Sequence, residues 1–204
     1  MSPLLRLRTP RLLLRDFDPS DEAAVHAFAG DPVVTRYTDW GPNTPAESAA
    51  FVRGCVAQAA DPHRTAFNLA AVADGVLVGS VAVWVENVTH RRGEIGFVFH
   101  PSVWNRGYAT EAARELVRFG IAELGLHRIS ATCHPENIGS ARVLGKAGLR
   151  QEGRLRDHLL ARGRWRDSLL FAVVAPGADE AASGLRSQDE TAFRSSDPAT
   201  GRTL

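Results

Sequence analysis

Pro101-Ser102-Val103-Trp104-Asn105-Arg106-Gly107-Tyr108-Ala109-Thr110-Glu111-Ala112 is the stretch on which the fold turns. It follows a strand-like run, Gly93 to His100, that Pro101 closes. It opens an amphipathic run from about Gly107 to Leu124. A tight loop entering a helix N-terminus leaves several backbone N–H groups unpaired and about half a positive charge. Gly107 lets a ligand come close to the backbone. Arg106 adds a planar cation that suits phosphate. Together these residues make an anion site that a pyrophosphate fits. Local physics alone also allows an ordinary glycine turn between a strand and a helix.

Outward from this loop the periodicity predicts the neighbouring elements. In the helix, Ala109, Ala113, Leu116, Val117, Gly120, Ile121 and Leu124 share one face. Glu111, Arg114, Glu115, Arg118 and Glu123 lie opposite, and Gly125 stops the run. Arg128 to Cys133 alternates as a half-buried strand does. Asn137 to Lys146 reads as a short helix ending at Gly148, and Arg150–Leu160 and Arg164–Val174 as a hairpin about Gly163. Upstream, Ala66–Ala73 and Val76–Val85 flank the hairpin signal Asp74-Gly75. Thr44-Pro45-Ala46-Glu47 starts a helix, with Thr as cap, Pro in the first turn and Glu three residues on. A first strand is expected in Arg11–Phe17, and a helix from Pro19-Ser20-Asp21-Glu22 to about Ala29. The order is strand, two helices, three strands, helix, strand, helix, two strands. That is an α/β (mixed α+β) fold with hairpins on both flanks. Residues 1–175 form the expected domain. From Pro176 the composition turns to Ala, Gly, Ser, Asp, Glu and Arg, and 176–204 is expected to be a disordered tail.

Composition narrows the function classes. The 204 residues suffice for one domain with a full core. Hydrophobic residues make up 44% and charged ones 23%, as in soluble globular proteins. A net charge of +1 gives no long-range field for nucleic acid or an anionic membrane. No apolar run approaches the roughly 20 residues that span a bilayer, and no signal peptide is expected. Cys55 and Cys133, the only cysteines, make no disulfide framework, so a cytoplasmic protein is expected. Neither has a ligand partner at metal spacing, and no metal is expected.

The run WNRGYATEA resembles the acetyl-CoA loop of the GNAT N-acetyltransferase family, Gln/Arg-x-x-Gly-x-Gly/Ala. Trp104 stands at its first position, Gly107 at the fourth and Ala109 at the sixth. Trp followed by Gly-Tyr-Ala-Thr-Glu-Ala is similar to the RimJ/RimL-type branch, which includes ribosomal-protein N-terminal acetyltransferases. That branch usually has Gly where this chain has Asn105, a residue that tolerates positive φ. Asn137-Ile138-Gly139-Ser140 and Val143-Leu144-Gly145-Lys146-Ala147-Gly148-Leu149 resemble the family's Asn-x-x-Ser and Leu-x-Lys-x-Gly-Phe segment. Glu152–Arg156 and Gly163–Asp167 resemble its closing hairpin, and Thr9-Pro10-Arg11-Leu12-Leu13-Leu14-Arg15 its opening strand. The series covers roughly residues 7 to 174.

The resemblance implies a twisted, mostly antiparallel central sheet of about seven strands flanked by about four helices. It implies acetyl-CoA as cosubstrate. The backbone of Phe97, Val98 and Phe99 would receive the pantetheine arm as an added strand. The backbone of Asn105, Arg106, Gly107, Tyr108, Ala109 and Thr110 would hold the pyrophosphate, although Tyr108 and Thr110 also fit packing and capping. Asn137 would bond the pantetheine, or serve as a plain helix cap. Ser140 would steady or protonate the departing thiolate. Glu94 lies close to where some relatives carry a proton-relaying carboxylate; its alternative is a surface ion pair with Arg91 or Arg92. Asp157 and His158 lie where another relative carries its catalytic Glu. The remaining histidines, His100 and His134 among them, read as structural.

The mechanism implied is direct attack of an amine on the thioester in a ternary complex, with a strand N–H at the oxyanion. No covalent acyl-enzyme is implied, and neither cysteine is matched as a nucleophile. A peptide α-amine of pKa about 7.7 is about 17% neutral at pH 7, against about 0.04% for lysine. A site without a strong base therefore suits a protein N-terminal α-amine; a small-molecule amine, antibiotic or metabolite, is the alternative. The lip of the acceptor site is expected from the Thr35–Asn43 loop and the Leu160–Arg166 turn. Trp40 and Trp165 are the candidate contacts; packing is the alternative for each and the preferred reading for Trp165. Rival classes are a non-catalytic acyl-CoA sensor on the same fold, and a nucleic-acid or ribosome-binding module. For the second, Arg154, Arg156, Arg162, Arg164 and Arg166 read instead as a solvated face, and no direct nucleic-acid binding is expected. The lack of G-x-G-x-x-G or Walker-type runs speaks against other nucleotide folds. A monomer or homodimer fits equally.

Overall fold

The structure, a computed structural model, describes residues 4–177. The expected tail lies outside the described residues from position 178 onward. The chain runs β1 (Arg6–Arg8), β2 (Leu13–Asp16), α1 (Glu22–Ala29), α2 (Pro45–Ala60), β3 (Ala66–Ala73), β4 (Val76–Asn87), β5 (Arg92–Phe99), α3 (Tyr108–Ala122), β6 (Arg128–Cys133), α4 (Ile138–Lys146), β7 (Arg150–Ala161) and β8 (Arg164–Val174). Among the described residues, eight strands form a sheet in the order β1-β2-β3-β4-β5-β6-β8-β7.

Local chemistry explains most boundaries. Thr44 and Glu47 cap α2 reciprocally, each side chain taking the other's backbone N–H. Asp74 (φ 49°) and Gly75 (φ 80°) turn the β3–β4 hairpin with the positive φ that such turns need. The first strand departs from expectation. The segment Arg11–Phe17 contributes only Leu13–Asp16, and Arg6–Arg8 pairs back on it as an extra strand. Pro10 cannot donate to a ladder, so residues 9–12 make the turn, closed by Thr9 N–H to the Leu12 carbonyl at 2.9 Å.

The helices cover both faces of the sheet. On one face α3 and α4 pack over Val81, Val83, Ile95, Phe99 and Ile129. On the other, α1 and α2 bury Val25, Phe28, Val52 and Cys55 against Phe17 and Ala70. The buried stripe of α3 is Tyr108, Ala112, Ala113, Leu116, Phe119 and Gly120. Ala113, Leu116 and Gly120 of the expected face lie in it, and Ala109, Val117, Ile121 and Leu124 are half-buried against the same core. The apolar arc of this helix is wide, and the sheet takes its aromatic edge. Gly120 lets α3 approach closely, since a Cβ there would sit 2.6 Å from the Ile129 side chain.

Every neighbouring pair is antiparallel except β5 and β6, which α3 connects as a crossover. Their parallel ladder covers only Arg92↔Arg128, Gly93↔Ile129 and Glu94↔Ser130. Beyond Glu94 the strands part, and the site is built around that gap.

Candidate active site

The register of β5 decides which backbone groups face the gap. His100 N–H bonds the Val78 carbonyl, so in the antiparallel β4–β5 ladder residues 98, 96 and 94 turn their polar groups to β4. Phe97 and Phe99 therefore turn theirs to β6, as Gly93 does when its carbonyl accepts from Ser130 Oγ at 3.2 Å. With the ladder ended, the N–H groups of Phe97 and Phe99 find no partner among the described residues. Of the expected trio Phe97, Val98 and Phe99, only the outer two offer open backbone. Val98 is a correction, because Ser80 on β4 takes its backbone groups. The side chains of Phe97 and Phe99 pack toward α3, and that of Val98 toward α1 and α2.

The loop after β5 carries the chain into α3. The Trp104 indole N–H donates to the Phe99 carbonyl at 2.8 Å, fastening the loop to the strand end. Asn105 adopts φ 60°, the conformation that its Asn-for-Gly substitution tolerates. Gly107 caps α3 with φ 83° and ψ 0°. No side chain caps this terminus. The first intrahelical bond runs from Glu111 N–H to the Gly107 carbonyl. Tyr108, Ala109 and Thr110 thus present free N–H groups, the arrangement that binds anions. Arg106 is exposed beside them. The Tyr108 ring is buried, with the Arg11 and Arg106 guanidiniums 4.7 and 5.5 Å from its centroid. Its side chain is a packing residue; only its N–H is placed for a ligand.

A clamp that the sequence did not disclose holds this loop. Arg11 donates to the Arg106 carbonyl at 2.8 Å and to Glu111 at 2.7 Å. The Arg11 N–H and the Thr9 hydroxyl donate to the same carboxylate at 2.8 and 2.6 Å. Burial disfavours ionised Glu111, but the bonds from Thr9 and Arg11 outweigh it and hold the carboxyl below its ordinary value. Thr9, Arg11 and Glu111 were all visible as residues, yet no spacing rule pairs positions 100 apart.

Across the gap, Asn137 caps α4, its Oδ1 accepting from Ser140 N–H at 3.1 Å. Its Nδ2 and the Ser140 hydroxyl have no partner among the described residues, so the cap role leaves a donor over.

Glu94 shares the Val98 face of β5, away from α3. Among the described residues it makes no ion pair with Arg91 or Arg92, against the surface-pair alternative; Arg91 donates to the Gly125 carbonyl at 2.6 Å. Glu94 contacts the Thr132 hydroxyl at 3.3 Å. Desolvation, and then the charge of Glu86, raise its carboxyl above the ordinary range. A carboxylate tuned upward beside a gap is a better proton acceptor. His158 is engaged with the buried Ser168 hydroxyl at 3.0 Å, and the Asp157 N–H with Asp167. Burial pushes the Cys133 thiol up to about 11 and the Cys55 thiol up to about 12, so neither is a thiolate at neutral pH.

The two segments expected to form the lip do meet. Arg162 donates to the carbonyls of Thr35 and Gly41 at 2.9 and 3.1 Å, and Arg166 to that of Tyr37 at 2.6 Å. These two arginines are therefore loop anchors rather than a solvated face. Arg154, Arg156 and Arg164 are exposed as the solvated face expected, Arg154 pairing with Asp167 at 2.6 Å. Trp40 is 39% exposed at the lip. Trp165 is 62% exposed, which goes against its packing reading.

Known proteins share this architecture. Residues 11–150 match the family model described as an acetyltransferase (GNAT) domain. The uncharacterized N-acetyltransferase YnaD of Bacillus subtilis is 35% identical over 170 residues, 83% of this chain and 97% of that one. The crystal structure of a GNAT-family acetyltransferase from Bacillus anthracis superposes with TM-score 0.74 at 34% identity, covering 83% of this chain and 98% of that chain. Mycobacterium smegmatis RimJ, in complex with CoA-disulfide, superposes with TM-score 0.73 at 27% identity over 89% and 94%.

Proposed function

The chain belongs to the GNAT acetyltransferase family and is an acetyl-CoA-dependent N-acetyltransferase; from that premise we propose that it acetylates the α-amine of a protein N-terminus by direct attack in a ternary complex. The observation that carries the donor side is the open edge of β5 leading into an uncapped helix N-terminus. The N–H groups of Phe97 and Phe99 would receive the pantetheine arm as an added strand. Those of Tyr108, Ala109 and Thr110, with Arg106, would take the diphosphate. The Asn137 amide would donate to the pantetheine.

In the transfer, a C–N bond forms as the thioester C–S bond breaks. Glu94, raised and half-buried, takes the proton that the amine must lose. A strand N–H steadies the oxyanion. The Ser140 hydroxyl gives its proton to the leaving thiolate and recovers one from solvent. A single moderate base suits an α-amine, of which about a sixth is already neutral at pH 7. The lip where the 35–43 loop meets the β7–β8 turn, with Trp40 exposed on it, is where the peptide end would enter. Two buried free cysteines fit a reducing cytoplasm.

Calorimetric titration with acetyl-CoA, beside Arg106→Glu, tests the donor site. Micromolar binding weakened at least tenfold in the variant is expected. Thiol release with N-terminal peptides then tests the acceptor. Binding without release from any amine would make the protein a sensor, and release with small amines alone would overturn the protein acceptor.

A further inference from the structure

A cavity of about 720 Å³ starts at the N-terminus of α3 and follows the exposed face of that helix. Gly107 and Thr110 line its beginning, and Arg114 and Lys146 lie further on. Its charge is lopsided. Five cations, Arg8, Arg11, Arg114, Arg118 and Lys146, line it with two carboxylates, Glu111 and Glu115. Both carboxylates are engaged, Glu111 by Arg11 and Glu115 by Arg118. Arg8, Arg114 and Lys146 have no carboxylate partner among the described residues. The whole chain carries only +1, so this excess is local.

Arg114 is also held in place. Its Nε and Nη2 donate to the Lys146 carbonyl at 3.0 and 2.8 Å, fixing the guanidinium between α3 and the end of α4. Its Nη1 has no partner among the described residues. A guanidinium anchored through one edge offers the other to a ligand at little entropic cost. Thr110 and Arg114 stand one turn apart on the same face. The rise of the helix puts Arg114 about 10 Å beyond Gly107, and helical side chains lean back toward the N-terminus. Reach from the helix terminus is therefore short.

Coenzyme A carries a phosphomonoester on its ribose, one sugar ring from the diphosphate. We propose that Arg114 and Lys146 form a subsite for this 3′-phosphate, so that the enzyme distinguishes acetyl-CoA from acetyl-dephospho-CoA. The inference rests on the diphosphate lying at the N-terminus of α3, as proposed above. Arg8 closes the flank of the subsite and adds charge without an anchor.

The test compares the dissociation constants of acetyl-CoA and acetyl-dephospho-CoA. The unmodified protein should prefer acetyl-CoA by about tenfold or more, as charge-assisted contacts give. The preference should shrink with rising salt, because the subsite is exposed. Lys146→Gln and Arg114→Gln should each lower the ratio about threefold, and the double variant should bring it near one. Arg114→Lys should keep part of it. Lys146→Gln leaves the Arg114 bond to the α4 carbonyl intact, so it tests the subsite even where Arg114 variants fold poorly. Equal binding of both donors by the unmodified protein overturns the inference alone. An unchanged ratio in the double variant does the same. Failure of either donor to bind overturns the donor-site assignment, and this inference with it.

Discussion

The donor side of the gap is made of backbone, whereas the acceptor side is made of long side chains from distant segments. Phe97, Phe99 and the first turn of α3 offer N–H groups whose direction follows from strand register and helix geometry. The acceptor lip exists because Arg162 and Arg166 reach carbonyls more than 120 positions away in sequence. Backbone sites tolerate changes of side chain but not of φ. Side-chain sites tolerate changes of backbone but not of the anchoring group. The first kind suits a donor that never varies. The second can be retuned for a new acceptor without touching the fold.

Gly107→Val should break the donor side most severely. A β-branched residue at φ 83° is strained by roughly 1–3 kcal/mol, and its Cβ would sit 3.3 Å from the Arg11 guanidinium. The loop should shift instead, and affinity for acetyl-CoA should fall about a hundredfold or more by calorimetry. Acceptor-side substitutions should leave that affinity alone.

Glu94→Gln tests the boundary between the two sides. With the base removed, kcat should fall about a hundredfold while donor binding persists. The base acts ionised and its carboxyl is raised, so the acid limb of kcat/KM should lie above the ordinary carboxylate range and vanish in the variant. Stability follows the same shift with the opposite benefit. A carboxyl raised in the folded state favours folding at low pH and loses that contribution as pH rises through its folded value. Glu94→Gln should therefore melt above the unmodified protein at pH 7, and the gap should close below pH 4.

Arg162→Ala should give the smallest effect, confined to the acceptor side. Loss of its bonds to the Thr35 and Gly41 carbonyls should cost about 1–2 kcal/mol and raise the acceptor KM a few-fold. An equal rise in the donor KM would show the two sides to be mechanically coupled.

The same division explains what could be read without coordinates. The start of α3 at Gly107, the Thr44–Glu47 box and the Asp74-Gly75 turn obey rules that act within a few residues, and each appears where the spacing put it. The crossover from β5 to β6 follows from a helix between two strands. The extra strand Arg6–Arg8 was missed because three residues give too short an alternation. The Thr9–Arg11–Glu111 clamp, the anchors at Arg162 and Arg166 and the outward Trp165 depend on contacts between segments that periodicity does not relate. The face of Glu94 could not be read from Gly96 and Val98 alone. The packing of Val98 against the α1 and α2 core supplies it.

Amide hydrogen exchange on β5, with and without acetyl-CoA, tests the central claim most directly. Val98 N–H is already bonded to β4 and should be protected in both states. Phe97 and Phe99 should exchange readily in the free protein and slow markedly when acetyl-CoA binds, as an added strand requires. Tight binding that leaves Phe97 and Phe99 unchanged would contradict the account, because the donor would then be held somewhere other than the open edge.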